Sequence, residues 1–457
     1  MTVPTPPTDA LAGTSTAFAA RYLREGDAGY DDARRVHNGF VDKRPAIIAR
    51  CTNTSQVVDA IALARSQNLE IAVRGGGHNV SGRATCDRGM MIDLSPMKGI
   101  SIDPGARTAR VEPGVTWGEL NGATQAHGLA TTGGVISSTG VAGLTLGGGI
   151  GWIMGKYGLA VDNLLAVEIV LADGRVVTAS EQSHPDLFWA VRGGGGNFGV
   201  VTSFQFRLHP VGPTIAGGLA AHPVANAREV LRFFRERTRT APDELTMFAG
   251  LVHAPDGSNV PLSAILACHC GSLEEGLAAI QPIKDFGPPV MDAMGPIEYS
   301  QMNSMLDAGY PRGARNYWKS SFLDELTDDA IETMARCYET CPSPMAQLLL
   351  EHVHGAVSRV PADATAFPHR RDGYNFLVLT QWMDPADDAR CIQWTRDTYA
   401  AMKPFTTDGR YMNYLDADDA TGSAAAYGVN YGRLQQLKRK YDPENVFHLN
   451  PNIRPVE

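Results

Sequence analysis

The feature that most restricts what this chain can become is a set of four glycine clusters in its first 200 residues. They are "AVRGGGHNVSG" at 72–82, Gly133 with Gly134, "GLTLGGGIGW" at 143–152 and "RGGGGNFG" at 192–199. Glycine lets successive amide N–H groups turn toward one anion and lets backbone come close to a bulky ligand. One cluster alone reads as a turn; four in one region point to a large, phosphate-bearing cofactor. The last cluster contains Gly194-x-Gly196-x-x-Gly199, the spacing of a dinucleotide fingerprint. That fingerprint should open a helix, but "VVTSFQFRL" follows with the alternation of a strand, and no acidic residue stands between Gly199 and Glu229. The doubly wound reading fails on context.

At 457 residues the chain is too long for one ordinary core, so two domains are expected. Hydrophobic residues at 44% and charged ones at 19% describe a globular protein. A formal charge of -9 argues against nucleic acid or an anionic membrane surface as the main partner. No apolar run approaches the ~20 residues that span a bilayer. "MTVPTPPTDALAGT" lacks the basic flank and apolar stretch of a secretory signal, so residues 1–34 read as a disordered lead-in with a short helix, and the protein as cytoplasmic. Seven cysteines show no paired spacing. Cys268-His269-Cys270 lies in an alternating strand that sends the two sulfurs to one face and the imidazole to the other, so no metal is expected there.

Residues 40–210 mix short helices and strands. "TNTSQVVDAIALARSQNLEIAVRGGGH" reads as a helix capped by Thr54 or Ser55 and then a strand. "ARVEPGVTWGELNGATQAHGLA" repeats that order, its helix opened by the capping box Thr116-x-x-Glu119. "LLAVEIVLADGRVVTAS" is a hairpin turned at Asp173-Gly174. Residues 211–218 form a seam. Beyond them, strands at "ELTMFAGLVHA", "VPLSAILACHC", "AQLLLEHVHG" and "YNFLVLTQWM" alternate with helices, predicting a second domain of antiparallel sheet with helices on one side.

Six blocks carry a resemblance: "VRGGGHNVSG", "GGVISSTGVAGLTLGGGIGWIMGKYGLAVDNLL", "DLFWAVRGGGGNFGVVTSFQF", "TAFPHRRDGY", "YMNYLDADD" and "YDPENVFHLNPNIRP". In that order they resemble the berberine-bridge-enzyme-like FAD-linked oxidases of the vanillyl-alcohol-oxidase superfamily, with the bacterial hydroxynicotine-oxidase type the nearer comparison. The resemblance implies an α+β chain with a PCMH-type FAD-binding domain at 35–210, a substrate domain at 211–410 and a segment at 411–457 that completes the FAD domain and active site. It implies that His78 bonds covalently to the flavin's 8α-methyl carbon. Many relatives make a second bond from a cysteine at the place held here by Ile136, so this FAD is expected to be monocovalent and histidyl. The cofactor-binding positions implied are Arg74, Gly75, Gly76, Gly77, Asn79, Ser81, Gly82, Gly134, Thr139, Gly140, Gly143, Leu144, Gly148, Gly151, Asp162, Asn163, Gly196, Val201, Tyr411, Asn413 and Asn450. Thr139 also stands where the family controls oxygen access; a small Val there goes with oxidases and a bulkier Ile or Leu with dehydrogenases.

By the same resemblance Tyr411 and Asn413 touch the flavin and Tyr414 takes the substrate's proton. On a strand Tyr411 and Asn413 share one face and Met412 and Tyr414 the other, so the segment must bend if all serve one site. A tyrosine with a reference pKa near 10 is a poor base at neutral pH unless its phenolate is stabilised. Plant relatives supply Lys, Gln or Glu from the strand after "FPHR"; here that face reads Asn375, Leu377, Leu379 and Gln381. Glu351 in "LLLEHVHG" is the next candidate for the base, with His352 and His354 on the opposite face, and Trp318 and Lys319 are candidate pocket residues. The implied reaction removes a proton from a small-molecule O–H or N–H and passes hydride from the adjacent carbon to the flavin. Molecular oxygen then regenerates the flavin and leaves hydrogen peroxide, and ring closure of the oxidised substrate is a further outcome. Two rival readings keep the fold: a dehydrogenase with another electron acceptor, and a flavin-carrying binding protein without turnover.

Overall fold

The computed structural model describes residues 21–254, 256–419 and 422–456, whose two largest hydrophobic cores lie in different halves of the fold with a cavity lined from both halves. The first half of the chain builds two small sheets. In one, Ile47–Arg50 and Ile71–Arg74 both pair in parallel with Met90–Asp93. Tyr22–Leu23 extends this sheet by pairing with Ile47–Arg50, and Tyr30 is buried with Ile48 and Met91. Residues 21–34 are thus part of the first unit and not a lead-in; residues 1–20 lie outside the described residues.

The other sheet is antiparallel, in the order Ile100–Asp103, Thr108–Val111, Val200–Arg207, Leu164–Val170, Val176–Ser180. Its last pair is the hairpin turned at Asp173-Gly174. The capping box forms as read, Glu119 Oε2 accepting from the Thr116 amide at 2.8 Å. The cap of Thr54–Ser66 is instead Asn53, whose Oδ1 accepts from Gln56 N at 3.1 Å. Asn53 is one residue upstream of the candidates and is already extended, which leaves its carboxamide free to reach back to the first turn.

Most of the expected seam is strand. Thr214–Pro223 is a central element of an eight-stranded antiparallel sheet ordered Met291–Asp292, Thr214–Pro223, Pro261–His269, Leu245–His253, Gln347–Val353, Gly373–Trp382, Arg315–Leu323, with Gly295–Glu298 also on Thr214–Pro223. The pleat sorts its side chains. Met247, Ala249, Leu251, Leu348, Leu350, Phe376 and Val378 pack under the helices that carry Phe234, Ile280, Met334 and Trp394. The alternate residues, among them Phe248, Leu266, Leu349, Glu351, Leu377, Leu379 and Trp318, face the cavity. Cys268 and Cys270 are buried with Ile150 and Trp152, while His269 Nδ1 accepts from Gly271 N at 3.2 Å.

The C-terminal stretch returns to the first unit. Tyr427, Leu434, Tyr441 and Ile453 belong to the same core as Phe198, Phe204 and Phe206. Among the described residues no helix is long and apolar enough to cross a membrane.

Candidate active site

The cavity between the cores measures about 640 Å3, within the usual range for ligand sites. Its floor is backbone. Residues 75–79 and 139–144 meet so closely that a Cβ on Gly76 would come within 2.5 Å of Gly140 Cα, and one on Gly140 within 2.5 Å of Gly76 N. Only paired glycines allow that approach. At Gly143 the position a side chain would take is open, with no atom within 4 Å.

His78 lies on this floor. Its Nε2 is 3.4 Å from Ser138 Oγ, and burial pushes its pKa down to about 3, so the ring is neutral with a lone pair available. Ile136, the position of the second attachment in many relatives, is buried against Val80, Tyr310, Trp318, Leu377 and Leu379. No cysteine lines the cavity among the described residues.

Tyr411, Tyr414 and Glu351 also line the cavity. Residues 411–414 are no strand: Met412–Tyr414 is a single tight helical turn, and this supplies the bend that puts Tyr411, Asn413 and Tyr414 on one cavity. The Tyr411 hydroxyl oxygen accepts from Gly149 N at 3.0 Å, Ile150 N at 3.1 Å and Asn413 Nδ2 at 2.9 Å, which ties the turn to the glycine-rich segment. Tyr414 stands edge-on to Tyr411 and Trp318, with ring centroids 4.8 and 5.6 Å away. Its hydroxyl donates to Glu351 Oε1 at 2.9 Å, and Asn375 Nδ2 donates to Glu351 Oε2 at 2.6 Å. Cross-strand register explains the second contact, because Glu351 and Asn375 are direct partners. Burial raises Glu351 to about 7, against which the two hydrogen bonds pull only partly. Burial, and then the Glu351 charge, push the Tyr414 phenol well above its usual value.

Of the residues expected at the site, the cavity is lined by Gly75, Gly76, Gly77, His78, Asn79, Thr139, Gly140, Gly143, Leu144, Gly196, Val201, Glu351, Tyr411, Asn413, Tyr414 and Asn450. The others stand behind its wall. Arg74 is committed to an ion pair with Asp93 at 2.7 Å and donates to the carbonyls of Ala33 and Arg35. Ser81 donates to Asn79 Oδ1 at 2.6 Å, and Gly82 packs on Val41. Gly134, Gly148 and Gly151 are filled against Leu144, Phe367 and the Gly133 carbonyl respectively. Asp162 pairs with Arg370, and Asn163 donates to the carbonyls of Tyr157 and Leu159. Asn375 reaches the site only through Glu351. Gln381, three pleats further on, donates to Gly309 O at 3.0 Å and supports the loop that holds Tyr310. Trp318 lines the cavity, whereas the Lys319 ammonium pairs with Asp418.

Arg83, Tyr310, Gln347, Met345 and the tail residues Phe447, Leu449 and Pro451 line the cavity without having been singled out. The tail residues sit in "YDPENVFHLNPNIRP" beside Asn450, so that block held the signal. Nothing in the sequence marks Tyr310 or Gln347, whose side chains meet at 3.1 Å across an irregular loop.

The paired glycine loops, the open space at Gly143 and the neutral imidazole of His78 beside them together fit a flavin dinucleotide. The family model described as "FAD binding domain" matches residues 45–180, and the one described as "Berberine and berberine like" matches 410–454. An FAD-linked oxidoreductase of Dictyostelium discoideum is 34% identical over 95% of this chain and 94% of its own length. The (R)-6-hydroxynicotine oxidase of Paenarthrobacter nicotinovorans is 31% identical over 97% of this chain and 98% of its own. A crystal structure of 6-hydroxy-D-nicotine oxidase from Arthrobacter nicotinovorans superimposes with a TM-score of 0.87, at 30% identity, over 95% of this chain and 98% of that one. The chain belongs to the berberine-bridge-enzyme-like family and is an FAD-linked oxidoreductase.

Proposed function

We propose that this enzyme is an oxidase that carries FAD on His78 alone. Its substrate in this reading is a small apolar or aromatic alcohol, amine or natural-product intermediate, and dioxygen is the final acceptor, yielding hydrogen peroxide. The observation that carries the reading is the chain Tyr414, Glu351, Asn375, whose first two members face a cavity floored by glycine loops. Bound FAD supplies the two-electron acceptor for the substrate's hydride and hands the electrons on to oxygen.

The residues supply the proton path. Tyr414 cannot serve as a free phenolate, because burial and the Glu351 charge both oppose its ionisation. It acts as a relay: its oxygen accepts the proton of the substrate's O–H or N–H while its own proton passes to Glu351. A carboxylate poised near 7 is matched to that task at neutral pH. Asn375 suits both states of the acid. Its Nδ2 donates to the ionised carboxylate, and its Oδ1, buried without a partner among the described residues, can accept from the protonated one after an amide flip.

The wall around Tyr414 is Ile136, Trp318, Leu349, Leu377 and Leu379, which supports an apolar substrate over an oligosaccharide. Thr139, close to Val in size, lines the cavity and supports oxygen as acceptor.

Two measurements test this. Acid-precipitated protein should retain its flavin, and the H78A variant should lose it. A panel of amines, alcohols and sugars screened by peroxide release should give turnover with an apolar amine or alcohol. Release of all flavin from the wild-type protein in acid, or an anaerobic flavin that no compound reduces, refutes the reading.

A further inference from the structure

We infer that His37 is a positioning residue for the covalent attachment of FAD, holding the His78 imidazole face-on so that its nitrogen meets the flavin. The inference rests on the reading that His78 carries the cofactor. The two rings stack with centroids 3.9 Å apart and an interplanar angle of 19°. His37 is only 6% exposed, and its backbone is fixed on both sides. His37 N donates to Gly77 O, and Gly313 N donates to His37 O, each at 2.9 Å. The platform is therefore bolted to the residue preceding the one it orients, and to the loop that leads into Arg315–Leu323. Ser138 Oγ marks the edge of the His78 ring while His37 covers its face.

The Nε2 of His37 is buried and has no hydrogen-bond partner among the described residues. A stacked pair leaves neither ring's nitrogen pointing at the other, so the contact is a matter of faces and not of proton exchange. Burial keeps His37 neutral, with Arg312 a lesser influence in the same direction. A neutral π-face is the appropriate surface beneath an imidazole that acquires positive charge as it is alkylated.

The bond has a simple balance. One C–H of the flavin's 8α-methyl group and one imidazole N–H are replaced by one C–N bond, releasing two protons and two electrons. Dioxygen, the acceptor of the proposed reaction, takes the electrons. His37 contributes no atom to this exchange. It restricts the rotation of His78 about its side-chain bonds before the C–N bond forms.

The test follows attachment itself. The full-length protein and its variants, produced under riboflavin limitation, are mixed with excess FAD. Flavin that survives acid precipitation is followed over time by intact mass and in-gel fluorescence, and total bound FAD is measured beside it. We expect H37A to attach flavin about tenfold more slowly than wild type, the scale of one aromatic stacking contact. H37F, which restores a flat ring, should attach at close to the wild-type rate. Total bound FAD should stay near stoichiometric in both, because the backbone bonds of residue 37 survive either substitution. An H37A variant as fast as wild type overturns the inference, and so does an H37F variant as slow as H37A. If the wild type itself never retains flavin, the covalent reading falls and takes this one with it; the wild type and H78A decide that separately from either His37 variant.

Discussion

Replacing Glu351 by Gln keeps the volume of the side chain and removes its ability to take a proton. Asn375 can accommodate the change by flipping its amide, since its Oδ1 has no other partner among the described residues. Turnover of E351Q should fall by about 10²–10⁴, the range for loss of a general base, while flavin content is unchanged. Y414F should lose a similar factor. If the pair acts as one relay, the double variant should be little worse than either single one, whereas additive losses would separate their roles. The sign of the pH effect follows from burial. The carboxyl is raised to about 7 and works only when ionised, so kcat/KM should rise with pH through about 7 and level off above it. Thr139 gives the complementary prediction. T139L should slow reoxidation by oxygen more than about tenfold, a barrier change near 1.4 kcal/mol, while turnover with an artificial dye persists. The identity of the base was only half legible in the sequence. Tyr414 and Glu351 could each be named, but their contact spans a turn and a strand that no local pattern connects.

Elements whose chemistry is local could be read directly. The hairpin at 173–174 and the capping box at 116–119 depend on residues within one turn, and the structure has both. Thr214–Pro223 was hidden because Gly212-Pro213 precede it and Gly217-Gly218 interrupt it, and the strand draws its stability from neighbours on both sides. The helix Tyr431–Tyr441 shows a feature invisible to pattern. Lys438 and Asp442, one turn apart, are both fully buried and 2.7 Å from each other. The ammonium also donates to Asn197 O at 2.6 Å and Phe447 O at 2.9 Å, and Asp442 accepts from Val446 N and Phe447 N. This pair fastens the helix to the fourth glycine cluster itself, at Asn197, and shapes the turn that carries Phe447, Leu449 and Asn450 to the cavity. K438M would strand the Asp442 charge and should cost about 3–5 kcal/mol in urea unfolding. K438M/D442N should recover part of that loss, whereas a single variant as stable as wild type would show that the pair is not holding the tail.

The molecule as a whole works only if its two cores stay in register, because the cavity takes Gly75 and Thr139 from one unit and Glu351 and Leu377 from the other. Several direct polar ties cross the boundary between the units. Asn303 Nδ2 donates to Gly134 O at 2.5 Å, Asp307 accepts from Ser137 N at 2.9 Å, and Arg370 grips Asp162 through two bonds of 2.7 and 2.8 Å. The last is an ion pair nearly closed off from solvent, with side chains 2% and 11% exposed. It joins the turn Ala160–Asn163 of the first unit to the strap that leads into Gly373–Trp382, the strand bearing Asn375. Asp162 and Arg370 read from sequence as a cofactor contact and an unremarked arginine; what decides their role is long-range geometry. R370M leaves a buried carboxylate uncompensated and should lower stability by about 3–5 kcal/mol. Because the strap positions Asn375, it should also lower kcat more than it alters flavin content. The double variant D162N/R370M separates the two effects. With no stranded charge its unfolding midpoint should move back toward wild type, but with no fork between the units its kcat should stay low. A double variant restored in both stability and rate would show that the pair only neutralises itself and does not set the register of the site.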